Sequence, residues 1–132
     1  MFKLESDVRA DVREAFPNAQ WVEAGLGGST GLPDCFINDI DGLPSRVAFF
    51  ELKIGELKGA ILHYEVRPAQ KKRIKHMLAD GYKVWFLVGE VGGDRLWRIY
   101  PDQSARNGRA MVDGPGVVRI FDLRTELMAG SL

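Results

Sequence analysis

One cysteine, two histidines and no net charge set the first limits on this 132-residue chain. With Cys35 alone, no intramolecular disulfide can form, and a zinc site built on cysteines is excluded. His63 and His76 are too far apart in the chain to read as a metal pair. Lys and Arg number 18 and so do Asp and Glu, so no global basic field advertises nucleic acid. An interface for it must then be a local patch. No apolar run is long enough to span a bilayer. The first residues, MFKLESDVRADVREAF, lack the apolar core of a signal peptide. These absences give the expectation of a soluble, cytoplasmic protein without a membrane partner. No repeat, linker or low-complexity segment divides the chain, which is read as one domain over 1–132.

What is present is ordinary in bulk: 45% hydrophobic and 27% charged residues, enough for a single core. Leu4, Val8, Val12, Ala15 and Phe16 recur at helical spacing until Pro17, which predicts an amphipathic helix over Leu4–Phe16. AQWVEA reads as a short strand and GLGGSTG as a glycine-rich loop. PDCFIN and RVAFFELKI read as two strands joined by a turn at DIDGLPS. The second of them is apolar on both faces, as a central strand is. GELKGAILHYEV reads as a connection. RPAQKKRIKHMLADG is a helix with Pro68 at its first position and Gly81 just past its end. YKVWFLVGE is a further buried strand, and DRLWRIY and GVVRIFDL are strands of a β-rich tail. The sum is an α/β or α+β domain on one mixed sheet, with its core over about 4–90 and the tail over about 91–132.

Charges fall where this pattern predicts burial. Side chains two apart on a strand share a face. If the turn spans Asp39–Arg46, Asn38 pairs with Val47, Phe36 with Phe49 and Asp34 with Glu51. Opposed carboxylates repel unless one is protonated or a cation lies between them. A hard divalent ion with oxygen ligands answers that need. Lys53 shares the face, one pleat repeat further on. Glu5 lies beside the apolar stripe of the first helix, whereas Glu14 points to solvent. Gln70 lies on the core stripe of the second helix with Ile74, Met77 and Leu78, and there it needs hydrogen-bond partners. Lys71, Lys72 and Lys75 point the other way. Between Leu52 and His76 seven Lys or Arg face two acids, Glu56 and Glu65, a local excess suited to a phosphate backbone.

GLPD, a spacing of seventeen residues, and then ELK resembles the PD-(D/E)xK nuclease superfamily. The ES start of the first helix, the glycine-rich loop before PD and the RPAQ helix start are similar to its VRR-NUC branch and to archaeal-type Holliday junction resolvases. The likeness covers about Leu4 to Glu90. It implies a restriction-endonuclease-like αβββαβ core and Mg²⁺-dependent hydrolysis of DNA phosphodiester bonds, with Mn²⁺ able to substitute. Asp34, Glu51 and the Leu52 carbonyl would hold the metal, with Glu5 as an accessory ligand. Lys53 would be the catalytic lysine, and Gln70 would position substrate behind the ligands. Lys58, Arg67, Lys71, Lys72 and Lys75 would contact DNA, with Ser29 in a substrate-side loop. A branched or junction substrate with two-fold symmetry would favour a homodimer.

Plainer readings stand beside these. Asp34 can be a strand-start aspartate after Pro33. Gln70 can reach back to its own helix terminus as in a capping box. Glu5 can be a helix N-terminal acid favoured by the dipole. Two other function classes also fit: an inactive nucleic-acid-binding module on the same fold, and an interaction protein with no nucleic-acid role.

Overall fold

The computed structural model describes residues 1–22, 31–38 and 47–128. The expected turn over Asp39–Arg46 and the loop residue Ser29 lie outside them. The chain runs α1 (Glu5–Ala15), β1 (Gln20–Trp21), β2 (Cys35–Asn38), β3 (Val47–Lys58), β4 (Ile61–Tyr64), α2 (Pro68–Ala79) and β5 (Lys83–Glu90). There follow β6 (Leu96–Ile99), α3 (Gln103–Arg106), β7 (Arg109–Met111), β8 (Val117–Ile120) and α4 (Leu123–Met128). The strands form one mixed eight-stranded sheet in the order β1-β2-β3-β5-β6-β8, with β4 joining β3 to β7. β3 and β5 run parallel, and the named neighbours otherwise pair antiparallel. The domain is thus of mixed α+β class on a mixed central sheet. Among the described residues no helix is long and apolar enough to cross a membrane.

Alternation along the strands builds two cores, one on each face. Val8 and Val12 of α1, with Phe16 just past its end, cover Cys35, Ile37, Ala48, Phe50, Leu52 and Leu87. Ile74 and Met77 of α2 cover Phe86, Val84, Val88 and Leu62 on the other face. Every one of these apolar groups is removed from water, at roughly 25 cal/mol per Å² of apolar surface.

Two departures from the sequence reading matter. GELKGAILHYEV is not a mere connection: β3 continues through it to Lys58 and turns at Gly59 and Ala60 into β4. Gly55 looks like a strand breaker, yet it lies inside β3. A Cβ there would sit 2.8 Å from Val88 Cγ1 and 3.1 Å from the His63 carbonyl oxygen, so close packing demands glycine. The tail, expected as strands and loops, also holds α3 and α4. Asp102 caps α3 by accepting the Ala105 N–H at 2.9 Å.

The long β3 creates the feature that positions the site. On one edge β5 pairs with Ala48 through Gly55. On the other edge β2 pairs with Val47 to Phe50, and β4 pairs with Gly55 to Lys58. The stretch Glu51–Ile54 is left between two partner strands, with a gap in the sheet beside it. The GLPD segment leads into this gap. Gly31, at φ 77°, packs against α2, where a Cβ would collide with the Ala69 carbonyl oxygen. Gly31→Ala is therefore expected to destabilise the fold by about 1–3 kcal/mol. It should reduce any activity at Asp34 further still, as urea denaturation and a functional assay on the same sample would measure.

Candidate functional site

Three polar side chains are buried together beside the gap: Glu51 at 2%, Lys53 at 4% and Gln70 at 4% exposure. The observed register sets Asn38 against Val47 and Phe36 against Phe49, as the hairpin reading expects. The Phe36 and Phe49 rings meet at 5.5 Å, which fixes that row on the α2 face. Glu51 and Lys53 continue the row under the first turn of α2.

Asp34 departs from the expected strand. β2 begins at Cys35, and the last paired residues are Cys35 and Phe50. Beyond them the Asp34 side chain takes the place of a partner strand: its Oδ2 accepts the Leu52 N–H at 2.7 Å. Because N–H and C=O of one strand residue leave on the same edge, the Leu52 carbonyl is directed to this gap as well.

Gln70 makes the contact of the plainer reading and two buried side-chain contacts besides. Its Oε1 accepts the Arg67 backbone N–H at 3.1 Å, the reach-back of a capping box. The same oxygen accepts from Lys53 Nζ at 2.9 Å. Its Nε2 donates to Glu51 Oε1 at 2.9 Å. Lys53 Nζ stands 3.7 Å from that carboxylate oxygen. One amide, locked at a helix start, thereby orients the lysine and the glutamate of the strand.

The other oxygen of Glu51, Oε2, is buried and has no hydrogen-bond partner among the described residues. Burial pushes the Glu51 carboxyl up to about 9; the Asp34 charge pushes in the same direction and Lys53 opposes it. A buried carboxylate oxygen without a donor, beside a second carboxylate, is a costly arrangement for the protein alone. A proton on Glu51 relieves it in the metal-free protein, and a cation in the gap would do so in the proton's place. Among the described residues no three His, Cys, Asp or Glu side chains form a ready ligand set. The donors that fit a hard divalent ion are instead Asp34, Glu51 and the Leu52 carbonyl, all oxygen, with water to complete the shell.

Glu5, the first residue of α1, is exposed and feels these charges without a hydrogen bond to any of them. Desolvation raises its carboxyl, Lys53 lowers it and Asp34 raises it again. The helix start is capped by Asp7, whose Oδ2 accepts the Lys3 and Leu4 N–H groups at 2.8 and 2.9 Å. Glu5 itself stands with Asp7 in the acidic first turn of α1, the place that the dipole reading gives it. Cys35 is buried on the α1 side, and burial pushes its thiol up to about 12, which makes it a poor nucleophile.

The basic candidates divide. Arg67 sits exposed at the N-cap of α2, and no side-chain hydrogen bond from it caps the helix. Lys71, Lys72 and Lys75 are exposed on α2, opposite Ile74 and Met77. Lys58 lies near the tip of the β3–β4 hairpin, about 16 Å along the strand from Lys53. It does not join the site. Arg9 of α1 does, with its guanidinium 3.8 Å from Asp34 Oδ1. Sequence reading passed over Arg9; its signal was the turn-and-a-bit spacing from Glu5, which places both on neighbouring helix faces. No family model matches the chain, and comparison with curated proteins and with solved structures gave no match either.

Proposed function

We propose that the protein is a divalent-metal-dependent DNA endonuclease on a restriction-endonuclease-like core. The observation that carries this reading is the donorless Glu51 Oε2, buried beside the sheet gap with Lys53 and Gln70 and close to Asp34. The order of these residues along the chain and their resemblance to the PD-(D/E)xK pattern point the same way.

When bound, a Mg²⁺ ion supplies Lewis-acid polarisation of the phosphate and a lowered pKa for a water molecule. The chain does the rest. Asp34 is held for ligation by the Leu52 N–H. Gln70 ties Lys53 and Glu51 together through its one amide. A water would add at phosphorus as its proton passes to solvent, the P–O bond to one strand oxygen would break with that oxygen taking a proton from solvent, and Lys53 would offset charge developing on the phosphoryl oxygens. The exposed face of α2, with Arg67, Lys71, Lys72 and Lys75, binds the flanking backbone. A branched or junction DNA is the proposed substrate, cut by a homodimer with one site per strand.

The test is incubation with Mg²⁺ and labelled single-stranded, duplex, flap and four-way-junction DNA. Failure to cut any of them would sink the reading. Lys53→Ala is expected to lower turnover by about 10²–10³-fold while DNA affinity in Ca²⁺ stays unchanged. Lys71→Ala and Lys72→Ala should do the reverse, each weakening binding and reducing the salt slope by about one. Should Lys53→Ala lose only affinity, its place in the chemistry is wrong.

A further inference from the structure

Arg9 and Arg13 stand four residues apart on α1, and both guanidinium carbons lie 4.9 Å from the ring centre of Trp21 on β1. Like charges at this helical spacing repel. Attraction to the indole face offsets the repulsion. The arrangement gathers two planar five-donor forks on one aromatic ring and limits the rotamer freedom that each would lose on binding an anion.

The place of this pair gives it meaning. Arg9 also faces Asp34 at 3.8 Å, beyond hydrogen-bond length and half exposed, so the contact is a loose one. It leaves most of the guanidinium's donors for a second anion. The pair flanks the carboxylates on the α1 side, whereas the lysines lie on α2. A structural clamp between α1 and β1 needs only one arginine on Trp21, and the second adds charge repulsion.

We infer that Arg9 and Arg13, racked on Trp21, form a phosphate-binding station on the α1 side of the carboxylate pair. The station takes the sugar–phosphate backbone of DNA, next to the phosphate at Asp34 and Glu51. Guanidinium forks match phosphate oxygens bidentately, and the acid beside Arg9 holds it at the site until a substrate phosphate arrives. This inference rests on the nuclease reading. It assigns to α1 a share of substrate binding that the basic run on α2 cannot supply from the other side.

The experiment is fluorescence anisotropy with labelled duplex and junction DNA in Ca²⁺, over a salt series. The Arg9→Ala, Arg13→Ala double variant should bind at least about tenfold more weakly, with a salt slope shallower by about two. Trp21→Leu keeps every charge and should still weaken binding several-fold. Arg9→Lys with Arg13→Lys keeps the charge but not the fork or the stacking, and should restore only part of the affinity. Thermal melts of each variant establish that the folded protein is being titrated. A wild-type protein that binds and cuts DNA, beside an alanine double variant with affinity within twofold of it, overturns the station alone. Full rescue by lysine overturns the fork. A wild-type protein that binds no DNA overturns the station and the nuclease reading together.

Discussion

Glu51→Gln and Asp34→Asn are each expected to reduce DNA cleavage by about 10³-fold or more, with the fold intact. Metal-assisted catalysis is worth several kcal/mol of transition-state charge stabilisation, and each 1.4 kcal/mol is about tenfold in rate. Either substitution removes one of the two carboxylates that fit the ion. The geometry around them is kept: a carboxamide oxygen can still accept the Leu52 N–H at position 34 or the Gln70 Nε2 at position 51. Cleavage by either variant at the wild-type rate would exclude the metal site. Circular dichroism and a DNA-binding curve on the same samples separate lost chemistry from lost structure.

Glu51→Gln also carries a stability signature that a purely structural role would not. The Glu51 carboxyl is raised from 4.5 to about 9, first by burial and next by Asp34. In the unfolded chain it loses its proton near the ordinary value, while the folded protein holds that proton. Stability from this group is therefore complete below the unfolded pKa and is lost as pH rises toward about 9. Glu51→Gln has no proton to lose. The metal-free variant should melt at or above the wild-type temperature, and the difference should widen as pH rises from acid to mildly alkaline. A gain of ~1 kcal/mol corresponds to about 4 °C in a chain of this size. Melting curves in EDTA across that range decide it; a variant less stable at every pH would mean that Glu51 is ionised and satisfied without metal.

The hairpin was legible because its rows are unambiguous. Phe36 and Phe49 share a face, and a slip by one would turn both rings to the wrong one; a shift by two keeps the face, so the turn span Asp39–Arg46 was what selected the register. That register carried Glu51 to Asp34. The helix face with Gln70, Ile74 and Met77 was legible for the same reason of period. The β3 extension was not, because Gly55 signals a break locally and its need is tertiary: Val88 and the His63 carbonyl leave no room for a side chain. The gap beside Glu51–Ile54 follows from that extension, so it could not be read from the local pattern either. The Arg9–Trp21–Arg13 cluster joins a helix face to an edge strand of two residues, a relation that no local pattern contains. Short α3 escaped because its cap signal, Asp102 before Ala105, was outweighed by strand-like neighbours.

Removal of divalent metal is the second change expected to abolish cleavage outright, and the choice of ion tests what the gap was built for. Asp34, Glu51 and the Leu52 carbonyl offer oxygen alone, which suits Mg²⁺, Mn²⁺ and Ca²⁺ alike. Ca²⁺ is larger, accepts irregular coordination and polarises bound water less. It should support DNA binding and give little or no cleavage, whereas Mg²⁺ and Mn²⁺ support both. Affinity for DNA should also fall in EDTA, since an incoming phosphate would then meet the Asp34 charge without a metal ion to offset it, with Arg9 as the cation beside that carboxylate. Because Glu51 holds a proton in the metal-free protein below about pH 9, metal binding must displace it. Mg²⁺ titrated into weakly buffered protein near neutrality should therefore release close to one proton per site, and Glu51→Gln should release none. Undiminished cleavage in EDTA would assign the buried carboxylates to some other task. Metal binding without proton release would place the ion away from Glu51.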